Sequence, residues 1–578
     1  MFDKQLKRIA AACLALALAA CVNGAAPQMS AGAEAPRGEA MAAAANPHAV
    51  EAALEMLRAG GSAVDAAIAA ELVLGLVEPQ SSGIGGGGFL LFYDARSERI
   101  SGYDGREWAP AGATPDMFMS NGRPMARLDA IASGRSIGTP LLVPMLKLAH
   151  DDHGRLDWAQ LFEPAIRLAE NGFEVSPRMA RLLASAAERG RMRADFATRA
   201  YFFDREGNPW QAGHLLRNPQ YAATLRAIAE QGPRAMTEGP IAESIVSAAQ
   251  RGPRAGTLTL ADLRNAQPRR FEPVCGAYRV YRVCTTAPPA SGSAVLEILG
   301  VYQRLRPEPD GPGNADDWAA FMWASRLAYA DRDHYVADDA FAPVPTRELI
   351  APDYLDQRAA LADLSRAPGR VSAGMPAGPE LFDRWGRDDS DDAGTTHLAI
   401  VDQWGNAVSL TATVESAFGS QRMASGFLLN NQLTDFSFSP TLNGRPVANA
   451  VAPSKRPRSS MTPTIVTDRN GELVLVIGSP GGSSIIGYVA RTTIGVLDWE
   501  LTPQQAIDLS NATARSSPVN IEAERAPTGV LEALRARGWE FRDVSGLEES
   551  GLHAIQVTEQ GLVGGADPRR EGVVGRVE

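Results

Sequence analysis

From residue 397 the hydrophobic pattern of this chain switches to a period of two, and that switch limits what the whole can fold into. HLAIVD, the four residues QWGN, then AVSLTATV (397–414) alternate apolar and polar side chains as two strands around a turn do. TPTIVTD, RNG and ELVLVIG (462–478) repeat the pattern around Asn470-Gly471, a dipeptide suited to tight hairpin turns. The C-terminal third is therefore expected to be sheet-rich. Helices are expected over TPQQAIDLSNA and PTGVLEALRARG, and a closing strand pair begins at HAIQVTE. Upstream the period is helical. Residues 46–76 read as two Ala-rich helices broken at Gly60-Gly61, and residues 140–265 read as mainly helical. PPASGSAVLEILGVY turns into an apolar helix at Ser291-Gly292. The polar stretch from Arg366 to Asp392, which contains DDSDD, reads as a solvated linker.

Charge and cysteine usage exclude some functions. A net charge of −11 argues against nucleic acid, which needs a basic footprint. Lys4, Lys7 and Arg8 precede an apolar run, Ile9 to Ala20, too short to span a bilayer. The run ends Leu18-Ala19-Ala20-Cys21, which resembles the bacterial lipoprotein box. That likeness implies cleavage before Cys21, a lipid on its sulfur, and residence on the periplasmic side of a bacterial membrane; an ordinary secretory signal is the alternative. Residues 1–21 are thus set apart as an export segment, and residues 22–40, rich in Ala, Gly and Pro, as a flexible tether. Cys275 and Cys284 flank a strand-like YRVYRV segment, and an even count in an oxidising compartment favours a disulfide over free thiols. No zinc-type spacing occurs, so no metal site is expected.

Three stretches carry candidate chemistry. Gly83, Gly85 and Gly88 satisfy GxGxxG, but helix precedes and strand follows, the reverse of a dinucleotide fingerprint. These glycines are expected instead to allow close backbone approach. In the first hairpin a four-residue turn puts Thr396 opposite Thr413 and Thr395 beside Val414. Hydroxyls 395 and 413 then lie within a few ångströms, at a cross-strand Cα spacing of about 5 Å. An ordinary Thr–Thr pair would look the same. A bare threonine hydroxyl is a poor nucleophile. His397 points to the same side and offers a base, although packing is its plainer role. Cutting the Gly394–Thr395 bond would instead give Thr395 a free α-amine, a base for its own hydroxyl with a pKa near 7.7–8. Gly481 and Gly482 in SPGGSS follow a strand and offer two backbone N–H groups to an oxyanion.

Taken in order, SSGIGGGGF, GREWAP, PPASG, TTH, NNQLTDFS, KRPRSSMTPT, GSPGGS and ADPR resemble the γ-glutamyltransferase (glutathione hydrolase) family of N-terminal-nucleophile hydrolases, over about Asn46 to Arg569. The resemblance implies an α/β fold, a four-layer αββα sandwich made as one precursor. That precursor would cut itself into a large subunit (41–394) and a small one (395–578), which stay together as a heterodimer. It implies Thr395 as nucleophile, Thr413 as its tuning partner, and Gly481 and Gly482 as the oxyanion hole. Arg106, Ser459 and Ser460 would hold a γ-glutamyl α-carboxylate, and Gln432 and Asp435 the α-ammonium. The partners implied are a small γ-glutamyl substrate and an amino-acid or peptide acceptor, and the two-step acyl transfer needs no cofactor.

One position departs from the family pattern. Glu415 stands where many members carry Asn, and the segment between Ser437 and Asn449 is short. Glu415 still accepts from an ammonium, but it also suits another acyl group. An amidase for glutaryl-β-lactams or poly-γ-glutamate is therefore a rival reading, and an uncut, lipid-anchored binding protein is a rival of another class.

Overall fold

Two sheets stack at the centre of the structure, a computed structural model that describes residues 38–188, 191–252, 254–378, 394–546 and 550–577. In chain order their strands are β1 (Ala40–Ala44), β2 (Gly87–Asp94), β3 (Arg99–Asp104), β4 (Arg269–Phe271), β5 (Val274–Tyr278), β6 (Tyr281–Thr285) and β7 (Thr396–Val401). They continue as β8 (Ala407–Thr413), β9 (Thr464–Thr467), β10 (Leu473–Gly478), β11 (His553–Thr558), β12 (Gly561–Ala566) and β13 (Val573–Val577). The first sheet is ordered β13-β1-β7-β8-β2-β3-β4, the second β12-β11-β10-β9-β6-β5. Both expected hairpins, β7–β8 and β9–β10, are present as antiparallel pairs, one in each sheet.

The period of two sorts side chains into layers. On β7, Leu398 and Ile400 pack into the apolar cluster of helices α1 (Pro47–Arg58) and α2 (Ala63–Val77). Ala399 and Val401, on the opposite face, meet Ile465, Val476 and Ile555 of the second sheet. The outer face of that sheet presents Val466, Leu475 and Ile477 to α3 (Gly292–Leu305), α4 (Ala315–Tyr335) and α5 (Ile485–Leu497). Burying one face of each sheet on helices and the other on its partner gives the expected αββα order. Between the sheets the small Ser409 donates its hydroxyl to Ile477 O at 3.0 Å, so a polar group there is satisfied.

The structure revises two details. Thr396 faces Ala412, not Thr413. Asp402 leaves the strand because its Oδ1 accepts from the amides of Trp404 and Asn406, both at 2.9 Å, which lengthens the turn to residues 402–406. That one-residue shift puts Thr395 at the place opposite Thr413. Secondly, the tether boundary set at residue 40 is too late, because Ala40 already pairs with Val577 in the sheet; the export segment and residues 22–37 of the tether lie outside the described residues. Ala-rich AMAAA gives no strand signal, but it is buried in full, flanked by β7 and β13, where small side chains fit. The linker's acidic run up to Asp392 also lies outside the described residues.

Cys275 and Cys284 face each other on β5 and β6 and are disulfide-bonded. Among the described residues no helix is long and apolar enough to cross a membrane.

Candidate active site

Thr395 immediately precedes β7, at one end of the layer between the sheets. Its hydroxyl donates to Thr413 Oγ1 at 3.1 Å, and Thr413 Oγ1 also accepts the Glu415 amide at 2.8 Å. The Thr395 carbonyl accepts from Arg570 Nη1 at 2.8 Å, and Arg570 is itself tied to Ser550 O through Nε. Held at both ends, Thr395 adopts φ 98°, a backbone state that a β-branched residue rarely occupies. The preceding Gly394 has φ 126°, and a Cβ there would overlap the Glu415 carbonyl oxygen. The Gly394–Thr395 linkage is thus pressed against the β8 end, where glycine alone fits. The glycine loop before β2 supplies the other wall: a Cβ on Gly86 would overlap Thr413 O.

A small, narrow cavity opens beside Thr395 and Thr413. Arg106, Glu415, Gln432, Asp435, Ser459, Ser460 and Gly482 line it, so nearly every residue singled out from the sequence meets there. Gly481 sits one residue behind Gly482, at the turn into α5, where both have positive φ (130° and 56°). His397 goes elsewhere. Its Nδ1 pairs with Thr411 Oγ1 at 2.9 Å, and a Cβ on Gly478 of the second sheet would run into its ring. Burial, and then its neighbour His553, hold the imidazole well below the usual histidine range. It packs between the sheets and is not paired with Thr395.

Arg106, 1% exposed, donates Nη2 to Asp435 Oδ2 and to Arg458 O, both at 2.6 Å, and Nε to Pro457 O at 3.1 Å. Gln432 Nε2 donates to the same Asp435 oxygen at 2.6 Å. The two groups expected to hold opposite charges of a ligand therefore pair with each other. An α-amino acid carries its ammonium and carboxylate on one carbon, and an adjacent Arg–Asp pair presents the complementary dipole to that headgroup.

Sequence reasoning gave no role in the site to five supporting groups, Arg332, Ser291, Arg127, Asn431 and Arg570. Arg332 donates to Ser460 Oγ at 2.5 Å and to Ser291 Oγ at 3.2 Å. Ser291 Oγ in turn donates to Ser459 O at 2.6 Å, which is how PPASG braces the two cavity serines. Arg127 pairs with Glu415 at 3.0 Å, and Asn431 Nδ2 donates to the same carboxylate. Arg570 follows ADPR directly, so its neighbourhood was marked; Arg127 and Arg332 carry no local signal.

A model of the gamma-glutamyltranspeptidase family matches residues 49–577. The glutathione hydrolase proenzyme of Bacillus subtilis strain 168 is 33% identical over 545 residues, covering 92% of this chain and 91% of that protein. That of Escherichia coli K12 is 33% identical over 548 residues, covering 92% and 90%. Among solved structures, cephalosporin acylase from Bacillus halodurans superposes with a TM-score of 0.81 at 26% identity, covering 95% of this chain and 98% of that one. Helicobacter pylori gamma-glutamyltranspeptidase gives 0.52 at 32% identity, covering 55% of this chain and 90% of that one.

Proposed function

This chain belongs to the gamma-glutamyltranspeptidase family, and we propose that it is a self-cleaving γ-glutamyl hydrolase and transferase acting on glutathione and related amides. One observation carries the assignment of the nucleophile. The Thr395 hydroxyl, bonded to Thr413 at 3.1 Å, faces the cavity that holds the Arg106–Asp435 pair.

In the precursor, Thr395 Oγ attacks the Gly394 carbonyl carbon. The acyl group moves from nitrogen to oxygen, and water then releases the Gly394 carboxylate. The large subunit ends at Gly394, the small one begins at Thr395, and the new α-amine is the base that the hydroxyl lacked. The sheet keeps the two pieces together, since β1 of the large piece pairs with β7 of the small one. In turnover, Thr395 Oγ passes its proton to that amine and attacks the γ-amide carbonyl. The oxyanion rests on the Gly481 and Gly482 amides, and the leaving amine takes a proton as the bond breaks. Water, or the amine of an acceptor amino acid or peptide, then attacks the γ-glutamyl ester and frees Thr395. No cofactor enters either step. Arg106, Ser459 and Ser460 hold the donor's α-carboxylate; Gln432, Asp435 and Glu415 face its ammonium. Release of p-nitroaniline from the γ-glutamyl anilide, stimulated by a dipeptide acceptor, tests this; no release by the processed protein would refute it.

A second reading has its own support. The likeness to a cephalosporin acylase spans 95% of the chain, and Glu415 suits more than one acyl group. A comparison of γ-glutamyl with glutaryl anilides separates the two, and faster glutaryl cleavage would overturn the first.

Export and a lipid anchor at Cys21 on the periplasmic side of a membrane are part of the proposal. They rest on the basic and apolar leader and on the Leu18-Ala19-Ala20-Cys21 box. Fatty-acid labelling that persists in a Cys21→Ser protein would refute the anchor.

A further inference from the structure

Glu415 places in the cavity a carboxylate that calls for a counter-charge. Its carboxylate is 2% exposed and lines the cavity beside Thr395. One carboxylate oxygen accepts from Asn431 and Ser416, which are neutral donors. The other accepts from Arg127 Nη2 at 3.0 Å. A buried carboxylate with no cation is costly, and Arg127 supplies one.

The two partners are held very differently. Glu415 is fixed from behind, at φ 80° with its amide on Thr413 Oγ1 at 2.8 Å. Arg127 opens a five-residue helix (Arg127–Ile131) just after a short hairpin at 119–124, and its side chain is 36% exposed. Its guanidinium therefore has water to move into, whereas the Glu415 carboxylate does not and needs a replacement cation.

We propose that Arg127 is an exchangeable counter-ion for Glu415 and thereby sets which acyl group the cavity prefers. A donor's α-ammonium displaces Arg127, whereas a donor with a carboxylate but no ammonium leaves it in place. This rests on the γ-glutamyl reading above. Arg106 is already committed to Asp435 at 2.6 Å. An incoming ammonium beside Glu415 would put two cations on one carboxylate, and the guanidinium with access to water is the one that leaves. A glutaryl group has the same length and the same terminal carboxylate but brings no cation. Arg127 then stays, and its charge offsets the repulsion between Glu415 and the donor carboxylate. One cavity thus accepts both acyl classes, and Arg127 sets the ratio.

The test uses processed Arg127→Ala, Arg127→Gln and Arg127→Lys proteins, with kcat and KM measured on γ-glutamyl- and glutaryl-p-nitroanilide. Where glutaryl turnover is too slow to follow, its Ki against γ-glutamyl cleavage is measured instead. In the Ala and Gln variants KM for the γ-glutamyl donor should fall while KM or Ki for the glutaryl compound rises. The preference should shift about tenfold towards γ-glutamyl, the scale of one charge-assisted hydrogen bond. Arg127→Lys should stay near wild type. Equal shifts on both donors, or a γ-glutamyl KM that rises, would overturn the proposal, because Arg127 would then only shape the pocket or bind the donor itself. A wild-type protein that cleaves neither anilide is a separate outcome, which sinks the γ-glutamyl reading and the proposal with it.

Discussion

The Thr395 hydroxyl lies 3.1 Å from Thr413 Oγ1, and the same Thr413 oxygen accepts the Glu415 amide at 2.8 Å. The second threonine therefore joins the Thr395 side chain to the backbone that carries the cavity-lining Glu415 carboxylate. Loss of its hydroxyl frees the Thr395 side chain to rotate. Thr413→Ala is expected to lower kcat and the rate of self-cleavage by about 10–10²-fold, with melting temperature little changed. Thr413→Ser should restore most of both. Equal activity in the Ala and Ser proteins would contradict this.

Gly394 has no room for a side chain, since a Cβ would overlap the Glu415 carbonyl oxygen. Gly394→Ala should push the scissile carbonyl away from Thr395 Oγ and leave most of the protein as one uncut chain on a denaturing gel. Cleavage at the wild-type rate would show that the close approach at Gly394 does not matter.

Arg570 holds the Thr395 carbonyl from the far side at 2.8 Å. It meets Thr395 at the backbone carbonyl, so it acts by positioning. Arg570→Ala should slow self-cleavage and kcat together while KM for the donor stays within about twofold, the pattern of an interaction that leaves ground-state binding alone. A change confined to KM would place Arg570 in donor binding instead.

Glu107, next to Arg106, is fully buried, and among the described residues neither of its carboxylate oxygens has a hydrogen-bond partner. Burial pushes its carboxyl from an ordinary 4.5 up to about 8. The folded protein therefore keeps a proton that the unfolded chain releases above 4.5. The stability this contributes is complete below about 4.5 and is lost as pH rises through 8. A neutral Glu107→Gln side chain has no such loss. Its unfolding free energy relative to wild type, read from denaturant titrations, should climb between pH 5 and 8 by up to about 1.4 kcal/mol per pH unit. A difference that does not vary with pH would show that Glu107 is not the group titrating.

What could be read in the sequence follows a physical line. Alternation shows the hairpin and brings Thr395 and Thr413 to the same end of it; whether they share a face depends on register, because a strand's side chains have period two. The register slipped by one, since it depends on Asp402 capping its own turn, a side-chain choice that alternation does not report. The glycine run was legible as a place of close approach, and Gly86 against Thr413 O is such a place. Arg106 and Asp435 are 329 positions apart, so spacing could not join them; their shared cavity was expected from ordered motifs alone. Arg127 reaches Glu415 across 288 positions from a short helix without motif, and only the folded chain brings them together. β1 stayed hidden because alanine favours helices when nothing else decides, and here the neighbouring strands decide.

The central claim is that one bond, Gly394–Thr395, turns an inert chain into an enzyme. N-terminal sequencing of the smaller fragment of the wild-type protein, run beside Thr395→Ala, tests it most directly. The expected result is a fragment beginning Thr-Thr-His-Leu in the wild type and a single, inactive, uncut chain in Thr395→Ala. A fragment with another first residue, or cleavage that persists without the Thr395 hydroxyl, would contradict the account.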